Sequence, residues 1–157
     1  MGQTELNKEY DSYFDTIEHI QTVKSHLSEF IFGLASAAVD HDASKLTTPE
    51  KELFDEWTPK LRGLTYGSNA YKAALKALKP ALDHHYAENS HHPEYYKNGV
   101  SGMTLLDLVE MLCDWKAATQ RHDDGDIRQS LEINRGRFNL SDQLYSILKN
   151  TIDDMGW

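Results

Sequence analysis

Apolar residues between positions 14 and 38 recur at steps of three and four residues, which is the spacing of one face of an α-helix. They are Phe14, Ile17, Ile20, Val23, Leu27, Phe30, Ile31, Leu34 and Ala38. The pattern predicts one helix over residues 8–39. A helix this long constrains a chain of 157 residues, because its apolar face has to pack against other elements. Since no segment alternates apolar and polar residues over the length of a strand, the sequence predicts an all-α fold.

Helix-capping and turn residues divide the rest of the chain into five further helices. Their predicted spans are 49–57, 70–86, 104–120, 126–135 and 141–153. Thr104 and Asp107 have the spacing of a capping box, and Pro80 is expected to kink or restart its helix. Residues 88–102 form a polar, aromatic loop that is long enough to indicate a role in a site. We therefore expect a single globular domain of about six helices over residues 1–157.

The overall charge limits the classes of partner. The chain carries 25 acidic and 16 basic residues, a formal net charge of -9, which argues against binding of duplex nucleic acid but allows a small anionic substrate where cations gather. No apolar run approaches the roughly 20 residues of a membrane span, and the first ten residues lack a secretory signal, so we expect a cytoplasmic protein that does not bind a membrane. The single cysteine, Cys113, excludes an intrachain disulfide and is expected to be a small core residue.

Histidine is the residue type that points to chemistry, since the chain contains eight. His41 and Asp42 are adjacent where the long helix ends, so the backbone can turn an imidazole and a carboxylate toward one divalent transition metal. Taken alone, such a pair is more often a helix cap or a surface turn. Residues 83–94 contain four histidines and three carboxylates within twelve positions. This density favours metal ligands over an ordinary polar loop.

Three further residues are candidate ligands. His19 and His26 lie seven residues apart on one stripe of the long helix, where either could face an ion or be a hydrogen-bonded core imidazole. Asp114 lies among apolar residues, where an ionised carboxylate requires a cation or strong donors. Asp107 ranks below Asp114 because the capping box accounts for it.

Taken in chain order, His19, the His41-Asp42 pair, the histidine cluster and Asp114 resemble the signature of the HD-domain superfamily of metal-dependent phosphohydrolases. Three longer motifs are similar to those of a family common in phages and bacteria that has no assigned activity. They are HDASK at 41–45, HYAENSHHPE at 85–94 and EMLCDW at 110–115. The likeness spans about residues 16–152, and a phage origin would place the protein in the cytoplasm of the host.

The resemblance implies an HD-like helical fold with one or two divalent ions per chain, of Mn, Co, Ni, Zn or Fe. The first ion would be held by His19, His41, Asp42 and Asp114, with His19 preferred to His26. Asp42 would bridge or orient the nucleophilic water. A second ion or a phosphate would be held by His85, His91 and His92. Lys45 would contact a phosphate of the substrate, and Glu110 would act as general base or as hydrogen-bond partner of a ligand.

These observations predict a phosphohydrolase acting on a small phosphate ester, most simply a nucleotide or deoxynucleotide. One alternative is a di-iron oxygenase of the HD type, which the identity of the metal would distinguish. Another is a phage protein that binds a nucleotide without turnover, which would show tight binding and no product. Either way, we expect a small phosphorylated partner, and the sequence is compatible with a homo-oligomer.

Overall fold

The computed structural model describes residues 10–64, 68–121 and 125–157, without the side chain of Arg62. Within these ranges it contains six α-helices, three short 3₁₀ helices and no strand. The α-helices are α1 (Tyr13–Asp40), α2 (Glu50–Arg62), α3 (Asn69–Glu88), α4 (Leu105–Thr119), α5 (Ile127–Phe138) and α6 (Asp142–Asp154). The 3₁₀ helices are Ala43–Leu46, Pro93–Tyr95 and Gly99–Gly102. This architecture confirms the predicted all-α, globular fold of about six helices.

The helix starts follow the capping chemistry of the sequence. Thr104 Oγ1 accepts a hydrogen bond from the Asp107 amide, and Asp107 Oδ2 accepts one from the Thr104 amide, so the predicted capping box is confirmed. The predicted restart of the helix at Pro80 is wrong, because α3 continues through this residue. Pro80 is exposed, and the buried opposite face of the helix, including Leu78 and Ala81, holds α3 in place despite the missing amide donor.

The main hydrophobic core lies between α4, α5 and α6. It consists of Met111, Leu112, Trp115, Ile127, Leu131, Leu140, Leu148 and Ile152. Trp115 stacks on Phe138 with ring centroids 6.0 Å apart. A second packed unit is the α2–α3 pair, whose buried face includes Ala74, Leu78 and Ala81. The end of α3 and the segment after it therefore lie beside the start of α4, at the edge of the main core.

α1 is joined to the rest of the fold through its carboxyl-terminal end. Gly33 lets α1 approach α4 closely, since a Cβ at this position would lie 3.0 Å from Leu106 Cδ1. None of the residues of α1 is buried. Other described helices leave the amino-terminal part of the apolar face uncovered, and Leu27, for example, is 59% exposed. No described helix combines the length and apolarity needed to cross a membrane.

Candidate metal centre

Asp42 is placed at the centre of the site by an unusual backbone conformation. α1 ends at Asp40, and Asp42 adopts the left-handed region with φ of 57° before the chain enters the 3₁₀ helix Ala43–Leu46. This conformation costs a residue with a Cβ about 1 kcal/mol or more, although Asp tolerates it better than most. The sharp turn brings the carboxylate of Asp42 between the end of α1 and the end of α3.

Three imidazoles converge on Asp42. His85 Nε2, from the last turn of α3, lies 3.3 Å from Asp42 Oδ1, and His91 Nε2 lies 3.5 Å from the same oxygen. His92 Nε2 lies 2.8 Å from His85 Nε2. The four donor atoms lie within 4.8 Å of one another. Metal–ligand bonds of 2.0–2.1 Å in a tetrahedron place neighbouring ligand atoms about 3.3–3.4 Å apart, so these spacings fit one ion.

Two atoms of this group are buried without a hydrogen-bond partner among the residues that the structure describes. They are Asp42 Oδ1 and His91 Nε2, which face each other. Buried polar atoms are nearly always satisfied, because an unpaired one costs roughly 1–3 kcal/mol. A cation between the two atoms would satisfy both lone pairs at once. The donor set of imidazole nitrogens and a carboxylate oxygen therefore fits a divalent transition metal.

Buried Glu50 orients His85. Its Oε2 lies 3.0 Å from His85 Nδ1 and its Oε1 lies 2.8 Å from His84 Nδ1. When His85 Nδ1 donates its proton to this carboxylate, the lone pair of Nε2 points toward Asp42, which is the tautomer that a metal ligand requires. The Glu50 side chain is 0% exposed, so water does not compete for these hydrogen bonds.

Glu110 orients two further imidazoles in the same way. Its Oε1 lies 2.9 Å from His41 Nδ1 and 2.9 Å from His91 Nδ1. Donation from both Nδ1 atoms leaves both Nε2 lone pairs facing the region around Asp42. Two roles were expected of Glu110, general base and hydrogen-bond partner of a ligand. These contacts match the second role.

A second group of donors lies beside the first. His41 Nε2 is 3.7 Å from Asp42 Oδ2 and 3.8 Å from Asp114 Oδ1. Lys45 Nζ is 2.6 Å from the same Asp42 oxygen. The two oxygens of Asp42 thus face different partners: Oδ1 faces His85 and His91, and Oδ2 faces Lys45 and His41.

The electrostatics keep Asp42 ionised. Burial raises its pKa, but in the absence of metal the contacts with His85 and His91, whose Nε2 atoms can then carry a proton toward it, and with Lys45 outweigh this effect and hold the pKa well below the usual range of an aspartate. Burial, reinforced by the neighbouring rings of His91 and His85, lowers the pKa of His92 to about 3. His92 is therefore neutral at physiological pH, and its lone pair is available to a metal.

An apolar cleft of about 280 Å³ leads to this centre. His41, Glu110 and Asp114 form its polar wall. Its apolar wall consists of Leu34, Ala37, Ala38, Val109, Cys113 and Ala117. The prediction that Cys113 is a core residue is wrong: Cys113 is exposed, because it lies on the side of α4 that faces the cleft rather than the α5–α6 core.

The structure brings together eight of the residues that the sequence analysis selected. They are His41, Asp42, Lys45, His85, His91, His92, Glu110 and Asp114. His19 is not among them and requires a correction. It is exposed, and α1 runs without a break from His19 to His41, so 22 residues at 1.5 Å each separate the two by about 33 Å. His26, the alternative, is also exposed and lies about 22 Å from His41 along the same helix.

The sequence analysis missed Glu50, which contacts both His85 and His84, and it left open which of these two histidines faces the centre. Ser44 and Asn89, which contact each other at 2.8 Å beside His85, were missed as well. A signal for Glu50 exists in the sequence. At helical spacing, position 50 shares a face with Leu53, Phe54 and Trp57, and a carboxylate on an apolar face indicates a buried polar partner.

Comparison with known proteins gives one match. Residues 8–154 match the profile of a family of unknown function, DUF5662. No curated protein and no solved structure shows significant similarity to the chain.

Proposed function

The chain belongs to DUF5662, and we propose that it is a metal-dependent hydrolase of small phosphate esters. The observation that carries the proposal is the pair of unpaired buried atoms, Asp42 Oδ1 and His91 Nε2, with His85 and His92 completing the donor group around them. Such an arrangement is costly in a protein that binds no cation and favourable in one that does.

The donors select the class of ion. Three imidazole nitrogens and one carboxylate oxygen suit Mn²⁺, Fe²⁺, Co²⁺, Ni²⁺ or Zn²⁺, whereas Mg²⁺ prefers oxygen ligands alone. The group of His41, Asp42 and Asp114 would hold a second ion or support the first. Asp42 belongs to both of these groups, so an ion in either of them depends on it.

When bound, the ion supplies a water of lowered pKa and polarises a phosphoryl oxygen. The protein positions the reactants. Lys45, paired with Asp42 Oδ2, supplies positive charge to a phosphate oxygen at the edge of the centre. Hydrolysis forms a bond from the water oxygen to phosphorus and breaks the ester bond, and the departing alkoxide takes up a proton. With one ion bound in the Asp42–His85–His91–His92 group, Asp114 on the cleft wall would be free to receive the proton that the water loses.

The cleft supports the choice of an organic phosphate ester over inorganic phosphate compounds. Its apolar wall accepts the organic part of the substrate while the phosphate lies at the end lined by His41 and Asp114. Nucleotides and deoxynucleotides are the first substrates to test. Membership of the HD superfamily remains a prediction from the motifs.

The first experiment is elemental analysis of protein purified without chelator or added metal. We expect close to one or two transition-metal ions per chain in the wild type and none in Asp42→Ala. Asp55→Ala is the matched control, since Asp55 is an exposed aspartate paired only with Lys51 on α2 and should leave the metal content unchanged. A wild-type protein that contains no metal, and takes up none on titration, would contradict the proposal.

The second experiment measures phosphate or alcohol release from a panel of nucleotides and deoxynucleotides by the metal-loaded protein. We expect turnover that Asp42→Ala abolishes. Tight nucleotide binding without product would instead favour a binding protein, and two irons per chain with oxygen consumption would favour the oxygenase. Either result would overturn the hydrolase.

A further inference from the structure

α1 carries an apolar stripe with no partner among the described residues. At helical spacing, one side of α1 presents large side chains that are between 40% and 67% exposed. They are Tyr13, Ile17, Ile20, Val23, Leu27, Phe30 and Ile31. Isolated exposed apolar residues are ordinary, but a continuous patch of this length on a globular protein marks an interaction surface. We refer to these seven residues as the α1 stripe.

The stripe continues a contact that the fold already makes. α1 and α4 run parallel: Gly33 lies against Leu106, and eight residues further along each helix His41 lies near Asp114. Since α4 begins at Leu105, the part of α1 before Phe30 extends beyond it by 17 residues, or about 26 Å. The large apolar side chains of this extension face solvent among the described residues, which is unfavourable for a continuous patch. A partner that packs on the stripe would cover them where α4 stops.

The spacing of the stripe fits another helix as that partner. Ile20, Leu27 and Leu34 are seven residues apart, and Val23 and Phe30 alternate with them at steps of three and four. This is the a and d pattern of a helix that pairs with a second helix by knobs-into-holes packing. The stripe thus favours a helical partner over an extended peptide.

The charges along α1 favour a second copy of the chain. Asp15, Glu18 and Glu29 lie on the opposite side of the helix, whereas Lys24 and the imidazoles of His19 and His26 border the stripe. Two copies can therefore approach along this side without bringing their carboxylates together, despite the net charge of -9 on each chain. The family match begins at residue 8, so the stripe belongs to the shared domain.

We propose that the α1 stripe is the interface of a homodimer in which α1 of each copy packs against α1 of the other. With side chains that each expose on the order of 100 Å², the stripe and the adjoining Leu105, Val109 and Ile147 offer on the order of 800 Å² per copy. A standard stable interface buries about that area per partner. The proposal does not depend on the metal centre or on hydrolysis.

Sedimentation equilibrium on the full chain tests the proposal. We expect the wild type to have twice the mass of one chain at micromolar concentration. Ile20→Asp combined with Leu27→Asp should raise the dissociation constant by about 100-fold or more, because it would bury four carboxylates in the interface. Thr22→Asp combined with Ser25→Asp, on the opposite side of the same helix, is the matched control and should stay dimeric.

A second measurement covers the case in which the stripe variant does not fold. Hydrogen exchange of the wild type should be slower for amides 14–28 at concentrations where the dimer forms than after dilution. A monomeric wild type would overturn the proposal, and so would a folded stripe variant that remains dimeric. Equal exchange of these amides at both concentrations would also overturn it, since the interface would then lie elsewhere or be absent.

Discussion

At the scale of single residues, Glu50 and Glu110 determine how the imidazoles face the centre. Each carboxylate accepts the Nδ1 protons of two histidines, and neither lies among the four donors around Asp42 Oδ1. The result is a set of rings whose Nδ1 atoms are held by carboxylates, and the Nε2 atoms of His41, His85 and His91 face the centre. Partners of this kind usually change the affinity for a metal by 10–100-fold when they are removed.

We expect Glu50→Gln to weaken binding of the preferred metal by about 10–100-fold, because the amide no longer accepts both Nδ1 protons as a carboxylate does. Competition titration against a chromophoric chelator would measure the change. Glu52→Gln is the control, because Glu52 is an exposed glutamate on the same helix that contacts Thr48. Equal affinities for wild type and Glu50→Gln would show that the hydrogen bond to His85 does not support the ligand.

Lys45 allows a prediction that separates catalysis from metal binding. If its ammonium contacts the substrate phosphate, Lys45→Met should lower kcat/KM for a phosphate ester by about 100-fold and leave the metal content intact. Lys51→Met, which removes an exposed lysine paired with Asp55, should retain full activity. Steady-state kinetics and elemental analysis on the same samples provide both readouts. Unchanged kcat/KM in Lys45→Met would remove Lys45 from the mechanism.

Most of the centre could be predicted at this scale because its chemistry is local in sequence. The His41-Asp42 pair and the histidines of residues 83–94 stand close together in the chain, so density alone indicates them. Glu50 was missed because it reaches His85 only through the packing of α2 on α3. The prediction that His19 is a metal ligand was wrong because the order of the motifs does not show whether the helix between His19 and His41 bends back.

At the scale of elements, Asp107 connects the start of α4 to the segment that carries His91 and His92. Its Oδ1 accepts a hydrogen bond from Ser90 Oγ at 2.6 Å, and its Oδ2 accepts one from the Tyr96 hydroxyl at 2.8 Å, besides those of the capping box. Burial and this contact with Asp107 raise the pKa of Tyr96 to about 12, so the hydroxyl remains a donor at neutral pH. The capping residue therefore also fixes the loop that bears two ligands.

We expect Asp107→Asn to destabilise the protein by about 2 kcal/mol at pH 7, because it replaces charge-assisted hydrogen bonds at a buried position. Burial raises the pKa of Asp107, but the hydrogen bonds from Ser90, Thr104 and Tyr96 lower it by more, so the folded-state pKa lies below the ordinary 3.8. The stability that Asp107 contributes is therefore present above pH 3.8 and is lost as the pH falls through the lowered folded-state value.

Urea unfolding of wild type and Asp107→Asn at pH 7 and at pH 3 would test this dependence, with metal chelated in both cases. The difference in unfolding free energy should shrink at the lower pH. If the difference in unfolding free energy between wild type and Asp107→Asn is the same at both pH values, the ionised carboxylate of Asp107 is not the source of the stability. Asp142→Asn is a suitable control, because Asp142 is an almost fully exposed aspartate in the first turn of α6.

The elements also show where sequence patterns stop being informative. Capping residues predicted the start of α4, because the interactions involved span only four residues. The continuation of α3 through Pro80 depends on tertiary packing of the opposite face, which no local pattern encodes. The apolar period of α1 predicted the helix correctly but not its exposure, since periodicity shows which residues share a face and not what covers that face.

At the scale of the whole molecule, the candidate centre joins three stretches of chain that are far apart in sequence. Asp42 follows α1, His85 ends α3, and Asp114 lies in the middle of α4. Ions held by these donor groups would bind the folded state and not the unfolded chain, since each group combines residues from different stretches. The free energy of metal binding would therefore add to the free energy of unfolding.

We expect saturating metal to raise the melting temperature by about 10 °C, since a ligand at about 1,000 times its dissociation constant adds about 4 kcal/mol to a chain of this size. Calorimetry with and without a chelator would measure the shift. His91→Ala should abolish it, and the exposed Asp55→Ala should not. A shift of equal size in wild type and His91→Ala would place the stabilising ion at some other position.

The balance of charge around Asp42 has a kinetic consequence. Asp42, Glu50, Glu110 and Asp114 contribute four carboxylates, which outnumber the single ammonium of Lys45. This excess of carboxylates repels a phosphate ester until a divalent ion offsets much of the negative charge. Under the proposed function, metal would have to bind before substrate, so the reaction would follow a compulsory order of addition. Phosphate ester added in excess would then not bind the metal-free protein, so it would not compete with metal binding.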